Sequence, residues 1–199
     1  MHDLACRRGD RVLFRGLAFE VRAGQVVWLR GANGLGKTSL LRVLAGLSSP
    51  ESGRVQREST QGRAPLYLAH ANALKDDLSA IESLQFLARL QGHDASELEL
   101  TEALRRFGIH QRRHAPVRTL SQGQRRRVAL ARLALSEDRP LWLLDEPFDA
   151  LDADGCAALG EALGAHARAG GAVLLTSHLA FALDDPAPIT LQLDAATLQ

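Results

Sequence analysis

Gly31-Ala32-Asn33-Gly34-Leu35-Gly36-Lys37-Thr38 and, further along, Leu120-Ser121-Gln122-Gly123-Gln124 are the stretches on which the reading of this sequence turns. The first fits G-x-x-x-x-G-K-[ST], a loop whose glycines let successive backbone N–H groups curl around a polyphosphate. Its lysine adds a point charge and its threonine a hydroxyl for Mg²⁺. The flanks agree with that reading, since Val26-Val27-Trp28-Leu29 reads as a short buried strand and Ser39-Leu40-Leu41-Arg42-Val43-Leu44 as a helix ending near Gly46. The plain alternative is a glycine-rich turn that fits by accident. Against it, the chain has 24 Lys and Arg of which only Lys37 and Lys75 are lysines, so a lysine at this position is not a casual draw.

In the second stretch Ser121 is placed as an N-cap, leaving backbone N–H groups exposed at a helix start, which is another anion-binding device. The sequence holds one glycine-rich loop but two such devices, which points to a nucleotide bound by another copy of the chain.

Outward from these motifs, strands alternate with helices, the pattern of an α/β fold with a parallel sheet. Up to about Arg22, Val12-Leu13-Phe14 and Leu17-Ala18-Phe19-Glu20-Val21 read as strands joined by turns at Gly9-Asp10 and Ala23-Gly24. Gly53-Arg54-Val55-Gln56 and Leu66-Tyr67-Leu68 read as further strands. From about 71 to 135 the character is helical: Ser79-Ala80-Ile81-Glu82 and Ser96-Glu97-Leu98-Glu99 fit capping boxes, and Gly108 is placed to end the second helix. A third helix runs from Ser121 to about Leu135. Arg105 to Arg118, rich in Arg and His, reads as a solvated loop, with contact to an acidic partner or anionic lipid as the other reading. Leu141-Trp142-Leu143-Leu144 and Ala172-Val173-Leu174-Leu175-Thr176 are apolar runs suited to the centre of a parallel sheet, with a helix from about Ala153 to Arg168 between them.

The first of those runs feeds into Asp145-Glu146-Pro147. Acidic residues at the carboxyl end of a central strand enter the crevice where α/β folds bind ligand. Asp145 is suited to hold Mg²⁺ through water, and Glu146 to orient and deprotonate an attacking water. His178, just after the last apolar run, is placed to hydrogen-bond a γ-phosphate or that water. A polar strand exit and an ordinary surface histidine are the bland readings of the same residues.

Composition narrows the function classes. At 199 residues and 46% hydrophobic, the chain can bury one substantial core, and a net charge of +1 gives no global basic footprint for nucleic acid. No apolar run approaches the roughly 18 to 20 residues of a membrane span, and Met1-His2-Asp3-Leu4 lacks a signal-peptide apolar region, so a soluble or peripheral protein is expected. Cys6 and Cys156 stand apart and read as reduced, buried small residues, and the seven histidines show no metal-ligand spacing.

Together these motifs resemble those of the ATP-binding-cassette (ABC) ATPases over essentially the whole chain. The resemblance implies a single α/β P-loop domain over residues 1–199 with a mainly parallel central sheet, an N-terminal antiparallel β subdomain and an inserted helical lobe at about 71–135. It implies ATP and Mg²⁺ bound by Gly31, Ala32, Asn33, Gly34, Leu35, Gly36, Lys37, Thr38 and Ser39, with Asp145 and Thr38 toward the metal. It further implies Glu146 and His178 as catalytic groups, a D-loop at Ala150-Leu151-Asp152, and head-to-tail dimers in which Ser121, Gly123 and Gln124 of one copy face ATP on the other. Two departures stand out. The adenine-stacking aromatic is missing near Cys6-Arg7-Arg8, where the Arg8 guanidinium is a substitute. His70 occupies the place of the Q-loop glutamine as a metal or water contact, a role open to imidazole only when neutral, so ATPase activity is expected to fall at low pH.

Those departures, with Leu13-Phe14, Arg126-Arg127-Val128-Ala129-Leu130-Ala131-Arg132, Leu141 to Phe148 and the compact length, are similar to the CcmA family, ATP-binding subunits of cytochrome c maturation. That similarity implies a peripheral subunit on the cytoplasmic face of a bacterial inner membrane, partnered by the permease CcmB, with CcmC and indirectly CcmE. The work implied is haem export or release of the haem-loaded chaperone. The alternatives are the ATPase of another ABC transporter, a soluble ABC ATPase acting on nucleic acid or ribosomes, and a small-molecule P-loop kinase. The soluble class typically carries a long coiled-coil insert or tandem cassettes, and a kinase has no use for Leu120 to Gln124.

Overall fold

A computed structural model of the protein describes residues 1–56 and 63–194. The chain opens with β1 (His2–Arg8) and β2 (Arg11–Leu17), antiparallel and joined at Gly9-Asp10, where Arg8 faces Arg11 across the turn. Then come β3 (Val26–Arg30), the loop 31–36, α1 (Lys37–Leu44), β4 (Ser52–Arg54) and β5 (Leu66–Leu68). The helical lobe follows as α2 (Ala80–Leu90), α3 (Glu97–Arg106), short 3-10 turns at His110–Arg112 and Val117–Thr119, and α4 (Gln122–Leu130), which tightens into a 3-10 turn over Ala131–Leu135. The chain returns through β6 (Leu141–Leu144), α5 (Ala153–Arg168), β7 (Ala172–Thr176) and β8 (Ile189–Gln192).

Strands β5-β6-β7-β3-β8 form one sheet, every described pair parallel, and β2-β1-β4 a separate antiparallel sheet. The pleat of the parallel sheet splits the core into two layers. Trp142 and Leu144 of β6 with Val173 and Leu175 of β7 face the lobe and α5, while Leu143 and Leu174 face α1 and the antiparallel sheet. Alternate residues of a strand point to opposite faces, so a continuous apolar run is what a strand covered on both sides requires. Both capping boxes form: Ser79 with Glu82 and Ser96 with Glu99 exchange side-chain and backbone hydrogen bonds.

Register sets the functional edge. Leu29 of β3 lies beside Thr176 of β7, and Leu144 of β6 beside Leu175, so the residues that follow β3, β6 and β7 leave the sheet at one level.

The structure corrects several expectations. Leu17 to Val21 does not continue as a strand: β2 ends at Leu17, while Phe19 and Val21 pack half-buried on the second core layer. Its apolar content serves packing rather than a ladder. The strand expected at Gly53–Gln56 is Ser52–Arg54. Arg105 to Arg118 is no plain solvated loop, because Phe107, Ile109 and Val117 are buried and anchor its two 3-10 turns. The helix from Ser121 stays α-helical only to Leu130. Cys6 is buried, but Cys156 is only half-buried, and both are free. No helix among the described residues is long and apolar enough to cross a membrane.

Candidate active site

The loop between β3 and α1 has close neighbours at its glycines. A Cβ on Gly31 would lie 2.6 Å from the Leu193 carbonyl oxygen, and Gly36, at φ 96°, caps α1 in the left-handed conformation with Leu13 against it. Both positions therefore call for glycine. Lys37 opens α1 and is 9% exposed; its Nζ turns back across the loop to donate to the carbonyls of Gly31 (2.7 Å) and Ala32 (3.3 Å). The ammonium thus waits at the loop's mouth, held by neutral oxygens that a phosphate can displace.

Behind it runs a chain of hydroxyls and carboxylates. Thr38 Oγ1 donates to Asp145 Oδ2 at 2.8 Å, and Thr176 Oγ1 donates to Asp145 Oδ1 at 2.9 Å. The same Thr176 oxygen accepts the Glu146 backbone N–H at 2.9 Å. Asp145 is 3% and Glu146 8% exposed. Glu146 has φ 49°, a left-handed conformation that costs an ordinary residue on the order of 1 kcal/mol. Its Oε2 accepts the backbone N–H of His178 at 2.9 Å, and its Oε1 lies 3.3 Å from His178 Nε2. Burial, with the Asp145 charge nearby, pushes the Tyr67 hydroxyl pKa up.

These groups line an open cavity of about 230 Å³ that also takes in Arg8, Leu13 and His70. His70 is largely exposed, its Nδ1 3.4 Å from Asp149 Oδ2. Two roomier hollows, of about 570 and 690 Å³, have neither a lysine nor a buried carboxylate in their walls. Convergence of charge rather than volume selects the smaller one.

Thus Asn33, Gly34, Gly36, Lys37, Thr38, Ser39, His70, Asp145, Glu146 and His178 meet in one cavity, with Gly31, Ala32 and Leu35 in the same loop. Ser121, Gly123 and Gln124 lie elsewhere, at the start of α4. There Ser121 Oγ accepts the Gln124 N–H at 3.2 Å and Gln124 Oε1 accepts the Ser121 N–H at 3.0 Å, while Ser121 and Gln122 are exposed. A Cβ on Gly123 would lie 2.7 Å from the Ala150 carbonyl oxygen, so α4 begins hard against the 150–152 turn.

Two participants escaped the sequence reading. Thr176 passed as the end of an apolar strand, although a hydroxyl in an otherwise apolar run was a signal. Arg126 enters the sequence reading only as the first residue of the Arg126 to Arg132 stretch similar to the CcmA family, yet it is 2% exposed. Burial lowers its pKa to about 10 against the pull of Asp149, Asp145 and Glu146.

The ABC transporter family matches residues 14–149. A curated relative from Aromatoleum aromaticum, named "Cytochrome c biogenesis ATP-binding export protein CcmA", is 50% identical over 185 residues, covering 88% of this chain and 86% of its own. A solved ATP-binding subunit of an ABC transporter overlays with TM-score 0.76 at 28% identity, covering 89% of this chain and 78% of its own. An ATP-binding cassette solved as a dimer in a post-hydrolysis state with ADP and Pi overlays with TM-score 0.76 at 20% identity, covering 89% and 87%, a likeness that speaks for the fold.

Proposed function

This chain belongs to the CcmA family of ABC transporter ATP-binding subunits, and from that premise we propose that two copies hydrolyse ATP between them to drive a membrane permease in c-type cytochrome biogenesis. One observation carries the mechanism: a buried glutamate, Glu146, is clamped against His178 beside the loop that presents Lys37.

The geometry supports a division of roles. Lys37 exchanges the Gly31 and Ala32 carbonyls for β- and γ-phosphate oxygens, and the N–H groups of residues 33–39 complete the cradle. Glu146 orients a water for in-line attack at the γ-phosphorus and takes its proton as the bond to the ADP oxygen breaks. His178 hydrogen-bonds the γ-phosphate and fixes the Glu146 carboxylate. Thr38 Oγ1 and Asp145 Oδ2, 2.8 Å apart, are hard oxygen donors of the kind Mg²⁺ takes, with His70 at the cavity wall. When bound, the ion would neutralise phosphate charge. Ser121, Gly123 and Gln124 of the second copy close the site over the γ-phosphate.

Residues 1–199 form one ATPase domain with its helical subdomain at about 71–135. The surface near Asn72 to Ser83 is the docking face for a CcmB-type permease, placing the subunit peripherally on the cytoplasmic side of the inner membrane, with CcmC and CcmE as further partners. The Glu146→Gln chain, tagged and drawn from detergent-solubilised native membranes in Mg-ATP, tests this. It is expected to hydrolyse ATP about 100-fold more slowly, to persist as a nucleotide-trapped dimer and to carry a CcmB-like protein identified by mass spectrometry. An unrelated permease would overturn the biogenesis role, and a monomer with wild-type turnover would overturn the mechanism.

A further inference from the structure

Arg126 lies on α4 little more than one turn beyond the Ser121 cap, and its guanidinium reaches two loops from different parts of the chain. Nη1 faces the Ala69 and His70 carbonyls (both 3.2 Å) and Asn72 Oδ1 (3.1 Å), just after β5. Nη2 donates to the carbonyls of Asp145 (3.2 Å) and Glu146 (2.6 Å), and Nε to that of Pro147 (3.2 Å), just after β6. Guanidinium has five N–H donors in a planar fork, and these six acceptors take them all. The bonds go to peptide oxygens and one amide, leaving carboxylates to act only from a distance.

Burying such a cation is costly, and apolar side chains commonly join two loops as stably. A planar fork instead fixes direction. The shortest of its bonds falls on the carbonyl of Glu146, the residue whose φ is 49°. On the other side the Glu146 N–H is taken by Thr176 Oγ1. The left-handed residue is therefore gripped at both its N–H and its carbonyl, and its side chain emerges toward His178.

We infer that Arg126 is a positioning residue: it holds Glu146 in the left-handed conformation that aims its carboxylate, and makes that aim depend on where α4 and residues 69–72 sit. A shift of α4, whose first turn carries Ser121 to Gln124, reaches the Glu146 peptide through one guanidinium. So does a shift of residues 69–72, which border the surface near Asn72 to Ser83. The inference rests on the ATPase reading given above, because it concerns the group that activates water there.

Arg126→Met keeps length without donors, and Arg126→Lys keeps the charge without the fork. Both are made in the full chain, purified with the membrane partner it retains, and followed by ATP turnover, nucleotide affinity and thermal unfolding. Arg126→Met is expected to lower kcat by about 10-fold or more with KM and nucleotide Kd within about 3-fold, and Arg126→Lys to recover part of the loss. In the Glu146→Gln background, measured by single turnover, Arg126→Met is expected to add less than about 2-fold, because the group it positions is already disabled. A folded Arg126→Met chain with wild-type kcat overturns the inference, as do a loss confined to KM and a full multiplicative loss on top of Glu146→Gln. If neither variant folds, Arg126 is a determinant of the fold rather than of aim, which overturns it too. A wild-type chain that hydrolyses no ATP sinks the ATPase reading and takes the inference with it, whereas wild-type turnover beside an unaffected Arg126→Met chain sinks the inference alone.

Discussion

Around Lys37 the polar side chains are engaged with groups of the loop and of other strands, whereas the side chains of the Ser121 cap are engaged with near neighbours on α4. The ammonium of Lys37 holds Gly31 and Ala32, Thr38 and Thr176 grip Asp145 from two sides, and Glu146 meets His178. At the start of α4 the hydrogen bonds of the cap run between Ser121 and Gln124, three residues apart, and Ser121 and Gln122 face solvent. The first region is preorganised within one molecule. The second is a stiffened helix start presented outward, with remaining first-turn N–H groups that a helix leaves unsatisfied. Under the proposed two-copy mechanism, each copy would supply a finished half and an offered half of the site.

The largest effect should come from the finished half. Lys37→Ala removes both the charge meant for phosphate and the internal tie across the loop, and is expected to lower kcat/KM by about 1,000-fold or more together with nucleotide affinity. Turnover like that of the wild type in an ATPase assay would break the comparison at its root.

Ser121→Arg attacks the offered half. A bulky cation on an exposed cap should leave nucleotide binding to a single chain within about 3-fold while cutting hydrolysis by about 10- to 100-fold. Mixing equal amounts of Ser121→Arg and Lys37→Ala chains sharpens the point. Half the dimers pair the two variants and each such dimer holds one intact composite site, so about a quarter of wild-type activity is expected to return. Strictly additive residual activities in that mixture would show that both halves act within one chain.

The finished half was the more legible in sequence, and the reason is local chemistry. Gly31 to Thr38, the apolar runs of β6 and β7, and the capping boxes at Ser79 and Ser96 are all decided by neighbours within a few residues. The strand β8 was not assigned, because its exposed Ile189 and short length give an edge strand little pattern to read. Leu17 to Val21 misled because apolar content cannot tell a ladder from a packed coil. Thr176 and Arg126 were missed for a third reason: their partners lie 19 to 57 residues away in the chain. Only the register of β3, β6 and β7 brings the groups of the site into reach of one another.

The smallest expected effect concerns acid, and it separates two histidines that could be confused in any pH profile. His70 is exposed at the cavity wall near Asp149, whereas His166 is buried on α5 and stacks on Trp142 at 3.8 Å between ring centroids. Burial lowers the His166 pKa to about 4, against weaker opposing pulls from Glu137 and the Ala172 backbone. An unfolded histidine titrates near 6.5, so between that value and about 4 the unfolded chain binds the extra proton and the folded chain does not. Stability is therefore full above about pH 6.5 and falls as pH drops toward 4, by at most about 3 kcal/mol. His166→Phe keeps a ring against Trp142, and the replaced Nε2 has no hydrogen-bond partner, so its melting temperature should change less between pH 7 and pH 5 than that of the wild type. An equal drop in both proteins would remove His166 as the source of acid sensitivity. With a flattened profile in His166→Phe, an ATPase loss on acidification that His70→Gln relieves in that background belongs to the cavity; one that vanishes with His166→Phe alone belongs to unfolding of the sheet and α5, which leaves the distinction between the two halves of the site untouched.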